Sequence, residues 1–343
     1  MKFRDLFKLV HIIKPGNDES SSINRIDRIK LVIIRSLSYS GTTWINTALG
    51  CHNDVFALTS ADRALDALNE KRILQYGEDN WENICNVHFR NCPMWPSFFK
   101  EYDKTGNFFL QLAKRVSKPI IVINNPVDAV CGNHFHHDLI DIYYVHWLRD
   151  LRAIGASYWR KNPQKSFIEV LDDFLVDASR WRPANSDEHH ETVLKYEDAV
   201  LDPLSVLQAI GNLIGVDYDE NALQFWNYDH HITGGNPSVY QLIRYAQGLE
   251  VGGWTDREYY LDKFKDIIKN PKGVLKDNRW EKDLSERELF LFDIFCGEDN
   301  AEFYYPRDEF SPLKLEVFKR ELKDIATLGI IKNNHMIRVI ENL

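Results

Sequence analysis

A chain of 343 residues that is 44% hydrophobic and 27% charged, with 19 Phe, 15 Tyr and 9 Trp, has the apolar mass for one large core and excludes a disordered polymer. Its formal net charge of −9 makes the surface as a whole repel nucleic acid, so an anionic ligand must meet donors or positive charge gathered locally. Five cysteines without regular spacing exclude a disulfide framework and point to reduced thiols in a cytoplasmic setting.

In chain order, Met1 to Lys14 is basic and amphipathic but lacks the apolar stretch and small-residue cleavage site of a signal peptide. No apolar run approaches the roughly 18 residues that span a bilayer, so no transmembrane segment is expected. The polar run Gly16 to Asn24 reads as a connection, giving an N-terminal helix and linker over residues 1–28. Leu31 to Ile34 is a buried-strand run that stops at a Ser/Gly cluster and is followed by a helical pattern from Thr42 to Leu49. Further strands are predicted at Pro119 to Ile123, at Ile142 to Leu148, which a helix over Arg152 to Trp159 follows, and at Thr192 to Tyr196. Asp202 then fits an N-cap and Pro203 the first helical position, with Val206, Ile210, Leu213 and Ile214 on one face before Gly215. Strands alternating with helices predict an α/β domain, residues 29–305, whose parallel sheet is flanked by helices in three layers. Residues from about 62 to 117 carry no strand pattern and read as a helical insertion. The tail, 306–343, has Leu315, Phe318, Leu322, Ile325 and Leu328 near helical spacing and a break at Gly329; it packs back on the core or forms a homodimer contact.

The chemistry concentrates where the first strand meets the first helix. Tyr39-Ser40-Gly41-Thr42-Thr43-Trp44 sets hydroxyl donors, a glycine and a helix N-terminus in one place, which favours a bound phosphate. Trp44 is a candidate to stack on a base. The Gly-Lys pair of a Walker A loop is missing, which disfavours a kinase or ATPase. Ser40 to Trp44 instead resembles the 5′-phosphosulfate loop of the sulfotransferases that use 3′-phosphoadenosine-5′-phosphosulfate (PAPS). Leu148-Arg149-Asp150, with Ser157 eight positions after Arg149, resembles that family's 3′-phosphate element. Tyr196-Glu197-Asp198 is similar to the segment whose Tyr contacts adenine, and His230 to Asn236 and Asp277 to Trp280, with Lys272 before it, are similar to downstream elements.

The resemblance runs in order from about Ile29 to Tyr305 and implies a P-loop-like fold that transfers a sulfuryl group from PAPS to a hydroxyl or amine, with a carbohydrate or small molecule as the preferred acceptor and no metal required. It implies nucleotide contacts at Tyr39, Ser40, Gly41, Thr42, Thr43, Trp44, Arg149, Ser157, Tyr196, Lys272 and Arg279, with Arg152 as a solvated neighbour. The chain departs from the family at Tyr39, where a basic residue is usual, so Arg35 and Arg279 are candidate replacements for the charge. The usual base positions read Ile123-Asn124-Asn125-Pro126 and Ala57-Leu58-Thr59-Ser60, which leaves Asp62 and the cluster of His134, His136 and His137 as candidate bases, with Asp62 and His134 the catalytic assignments. A family member that holds the nucleotide without transferring sulfate is the alternative. Cys85-x-x-His88-x-x-x-Cys92 offers three zinc ligands and lacks a fourth nearby, so paired thiols packed in the insertion are the preferred reading.

Overall fold

The computed structural model describes residues 26–68, 83–124, 128–180, 190–252, 257–269, 276–302, 305–329, 331 and 333–343. Two compact units emerge: one holds the described residues of 22–147 and 183–276, the other those of 148–182 and 277–343.

The first unit is built on a five-stranded sheet: β1 (Ile29–Arg35), β2 (Val55–Thr59), β3 (Ile120–Asn124), β4 (Ile140–Leu148) and β5 (His190–Lys195), in the order β2-β3-β1-β4-β5. β1 runs parallel to both β3 and β4, with Val32 level with Val122 on one side and Tyr143 on the other, and β2 is parallel to β3. Central position explains the composition of β1: Leu31, Val32, Ile33 and Ile34 are all buried, because a parallel strand covered on both faces has no polar side. Each such side chain contributes about 1.5–3 kcal/mol of burial. With this strand order, right-handed crossovers put the helix that follows β1 (Thr42–Leu49) on one face and the helices between β2 and β4 on the other.

β2 is a strand that periodicity did not predict. Val55-Phe56-Ala57-Leu58-Thr59 is too short to show a period, and it becomes a strand because β3 offers an unpaired edge. Its pairing shifts between Ala57 and Thr59, and Thr59 takes a positive φ of 59°. The described part of the insertion is helical at Ala61–Asp66, Trp95–Glu101 and Phe108–Val116, held by Trp95, Phe98, Phe99 and Phe108 packed ring against ring. Tyr196, predicted to end a strand, instead opens a helix (Tyr196–Leu201), since Glu197 and Asp198 in the first turn favour a helix N-terminus.

The second unit is helical among its described residues. Asp150 caps the helix Leu151–Lys161 by accepting from the Arg152 N–H. The tail forms helices Pro312–Thr327 and Asn334–Glu341 on either side of Gly329, whose φ of 67° costs least in a residue without a side chain. Phe318 packs on Phe290, while Leu322, Met336 and Ile340 are buried and Leu328 is exposed.

Candidate functional site

In the first unit the connection after β1 leaves toward β2 while β4 leads toward β5, so the carboxyl ends of β1 and β4 border the point where strand order reverses. Ligands of open α/β sheets bind in such crevices. The turn Ser36–Gly41 occupies this place, with Tyr39 at φ 66° and Gly41 at φ 85°. Two left-handed residues so close together roll the backbone into a cradle, and the Trp147 indole N–H at the end of β4 fixes it by donating to the Ser40 carbonyl at 2.8 Å. A Cβ on Gly41 would lie 2.8 Å from Cε2 of Tyr196, so the Tyr196 ring lies against bare backbone and nothing larger than glycine fits there without moving it.

Gly41 also heads the helix Thr42–Leu49 and has no side chain to cap it, although the first amides of a helix have no partner within it. The Ser40 hydroxyl and the Trp44 indole nitrogen are buried and have no hydrogen-bond partner among the described residues. A buried polar atom left this way costs about 1–3 kcal/mol, which a bound anion or base would recover. Trp44 is enclosed, packed edge-on against Trp147. The Thr43 hydroxyl accepts from the Asn236 N–H at 2.9 Å, and Thr42 stands half-buried beside it.

Segment 230–236 locks the turn from behind. Thr233 donates to carbonyls of β2 and its exit, Leu58 and Ser60, at 2.8 Å. Gly234 lies against Ser60 and Gly235 against Thr43, so the exit of β2 and the start of the helix share one two-glycine spacer. Asp62 follows Ser60 by two residues, half-buried, and burial raises its carboxyl above the usual range despite hydrogen bonds from its own turn. His134 is engaged differently: its Nδ1 accepts from the Phe108 N–H at 3.2 Å and its carbonyl takes the Asn107 amide at 2.8 Å. That lone pair caps the helix Phe108–Val116 and is not available to a substrate proton, and burial lowers the imidazole's basicity further. His136 and His137 are exposed. At the end of β3, Asn124 accepts from the Asn46 amide at 3.0 Å, while 125–127 lie outside the described residues.

One pair at this sheet end escaped the sequence reading. His146, level with Arg35 across β1 and β4, pairs through Nε2 with Glu191 at 3.1 Å, and its Nδ1 is buried without a hydrogen-bond partner. Burial lowers its pKa although Glu191 opposes the shift. The Arg35 guanidinium stacks on Tyr144 at 4.2 Å. Only pairing across strands joins Glu191 to His146, so neither residue carries a local signal.

The second unit gathers a cationic set. Arg149 donates to the Asp277 carbonyl at 2.8 Å, Arg279 grips the Asp277 carboxylate at 2.9 and 3.1 Å, and Arg160 reaches the same carboxylate at 3.4 Å. Arg160 also donates to Ser157 Oγ at 2.9 Å and pairs with Asp283. Burial alone would raise the Asp277 carboxyl, but the Arg279 hydrogen bonds and the charges of Arg149 and Arg160 bring it down to about 2. Arg160 was not expected here. Arg152, expected as solvated, is buried: it forks onto Asp150 at 2.7 Å, pairs with Asp308 at 2.9 Å and stacks on Trp280, so two carboxylates and a ring replace water. Lys272 lies outside the described residues.

Within the first unit, His231 comes to join Cys85, His88 and Cys92, the ligand that the local spacing lacked. A hydrogen bond from Cys85, reinforced by His231 and His88, holds the Cys92 thiol well below the ordinary thiol range.

No protein-family model and no curated protein matches the chain. Among solved structures it is similar to the sulfotransferase domain from the Synechococcus PCC 7002 olefin synthase, at 17% identity and a TM-score of 0.45 over 84% of this chain and 99% of that one. It is similar also to the sulfotransferase domain from the curacin biosynthetic pathway, at 15% identity and a TM-score of 0.42 over 75% and 96%. A third is retinol dehydratase solved with androsterone and the inactive cofactor PAP, at 13% identity and a TM-score of 0.36 over 82% of each chain.

Proposed function

We propose that this protein transfers a sulfuryl group from PAPS to a hydroxyl or amine, with the 5′-phosphosulfate on the turn Tyr39–Trp44 and the 3′-phosphate on Arg149 and Ser157. The observation that carries the reading is the turn itself: at a strand-end crevice, it combines positive φ at Tyr39 and Gly41, an uncapped helix start and a buried, unpartnered Ser40 hydroxyl. Those features suit a tetrahedral anion. The Tyr196 ring against Gly41 is set to meet the nucleoside, and Arg279 and Arg160 add positive charge around Arg149 and Ser157.

Transfer is an in-line displacement: the acceptor oxygen or nitrogen bonds to sulfur as the bond from sulfur to the phosphate oxygen breaks, and adenosine 3′,5′-bisphosphate leaves. Positioning and donors aimed at the developing charge supply the rate. Asp62 takes the acceptor proton, its raised pKa bringing it nearer the working pH. Tyr39 offers a hydroxyl where a cation would neutralise the leaving oxygen, and Arg35 at the end of β1 is the charge in its stead.

Incubation with labelled PAPS and a panel of alcohols, amines and sugars tests the reading. Turnover that Asp62→Asn abolishes while nucleotide affinity stays unchanged is the expected result. Tight nucleotide binding with no turnover on any acceptor, unrelieved by Tyr39→Lys, identifies a non-catalytic nucleotide holder instead.

A further inference from the structure

We propose that Cys85, His88, Cys92 and His231 form a structural zinc site that ties the insertion to the segment behind the phosphate turn. The ligand atoms of all four lie within 4.8 Å of one another. Cys85 Sγ is 3.6 Å from His88 Nδ1, and Cys92 Sγ is 3.4 Å from His231 Nδ1. A tetrahedral ion with Zn–S near 2.3 Å and Zn–N near 2.0–2.1 Å sets sulfur and nitrogen ligands about 3.6 Å apart. These two sulfur–nitrogen pairs thus already stand near the spacing that the ion requires.

The surroundings follow the same logic. Both imidazoles turn Nε2 toward one carboxylate, Asp229, at 3.2 Å from His88 and 3.6 Å from His231. An Nε2–H donated to a carboxylate leaves the Nδ1 lone pair directed at the sulfurs, the second-layer arrangement that orients metal-bound histidines. The His88 amide points at Cys85 Sγ at 3.4 Å, a bond that stabilises a thiolate ligand. Cys85 and Cys92 are buried and the histidines half-buried, while Asp229 is exposed beside a cleft of about 340 Å³ that also lines His230 and His231, which gives an ion its way in. Two sulfurs and two imidazole nitrogens select zinc over magnesium or calcium, and four protein ligands leave no open position for catalysis.

The strands of backbone that the ion would join are already in register. Asn86 N–H donates to the Ile232 carbonyl at 2.7 Å, the Trp95 indole to the His231 carbonyl at 2.9 Å, and Arg244 to the Val87 carbonyl. Ile232 leads directly into Thr233, Gly234 and Gly235, the spacer against Ser60 and Thr43. The ion therefore fixes in place the segment on which the start of the helix rests.

Elemental analysis of the full chain, expressed with zinc and passed through gel filtration, should return about one zinc per chain. Cobalt in its place should give the intense visible bands of a tetrahedral ion and a thiolate charge-transfer band. His231→Asn and Cys92→Ser should each abolish the cobalt spectrum. Asp229→Asn, which removes no ligand, should weaken zinc affinity by about 10–100-fold and keeps the test decisive should a ligand variant fail to fold. Zinc near zero with no cobalt bands in the wild type overturns the proposal. So does a zinc content that His231→Asn and Asp229→Asn leave unchanged, or a Cys85–Cys92 disulfide in protein purified without oxidant.

Discussion

The turn at the end of β1 and the guanidinium set around Asp277, the two places that the proposed function gives to the nucleotide's phosphates, are built in opposite ways. The turn carries no charge and draws on consecutive residues: its donors are amides and hydroxyls, fixed by the positive φ of Tyr39 and Gly41 and by the Trp147 indole. The set in the second unit draws on Arg149 and Arg160, at the two ends of one short stretch, and on the distant Arg279, and answers three positive charges with the carboxylates of Asp277 and Asp283. One therefore depends on backbone shape and is indifferent to pH, whereas the other depends on charge and answers to both salt and acid.

Substitution of Gly41 by Ala attacks shape alone and should have the largest effect. A methyl group at φ 85° is strained and meets the Tyr196 ring, so affinity for adenosine 3′,5′-bisphosphate should fall on the order of 100-fold or more by calorimetry. An unchanged affinity would show that the turn does not hold the nucleotide. Arg149→Ala attacks charge: loss of a charge-assisted bond should weaken binding by about 10–100-fold. Arg149→Lys should not restore it, because the planar fork is lost, and equal binding by Lys would reduce Arg149 to a point charge.

The pH response separates the regions further. With a folded-state pKa of about 2 against an ordinary 3.8, Asp277 contributes stability that is complete above the ordinary value and is lost as pH falls through 2. Asp277→Asn should therefore be less stable than wild type at neutral pH by on the order of 2 kcal/mol, with the gap closing between about pH 4 and pH 2 in denaturant titrations. A gap independent of pH would remove the ionic account. The smallest effect is expected from Thr43→Val, which strands the Asn236 N–H: about 1 kcal/mol in thermal unfolding, largely recovered by Thr43→Ser.

The contrast also decides what the sequence discloses. A turn made of neighbours is spelled out in order, so Ser40 to Trp44 was legible, as were the buried β1, the cap at Asp202 and the break at Gly329. Side chains that meet only through the tertiary path left no such trace. Arg160 joins Asp277 across 117 residues, His146 finds Glu191 only by strand pairing, and His231 reaches Cys92 across 139 residues. β2 carries no such trace because its four apolar residues and Thr59 become a strand only beside β3. The intrinsic pKa of an imidazole makes His134 a candidate base in the sequence, yet its lone pair is spent on the Phe108 amide, a contact set by how two helices pack.

Titration calorimetry of the full chain with adenosine 3′,5′-bisphosphate tests the central claim most directly. One-to-one binding that Gly41→Ala removes and Arg149→Ala weakens is the predicted result. No binding up to about millimolar nucleotide by a folded wild-type protein would contradict it.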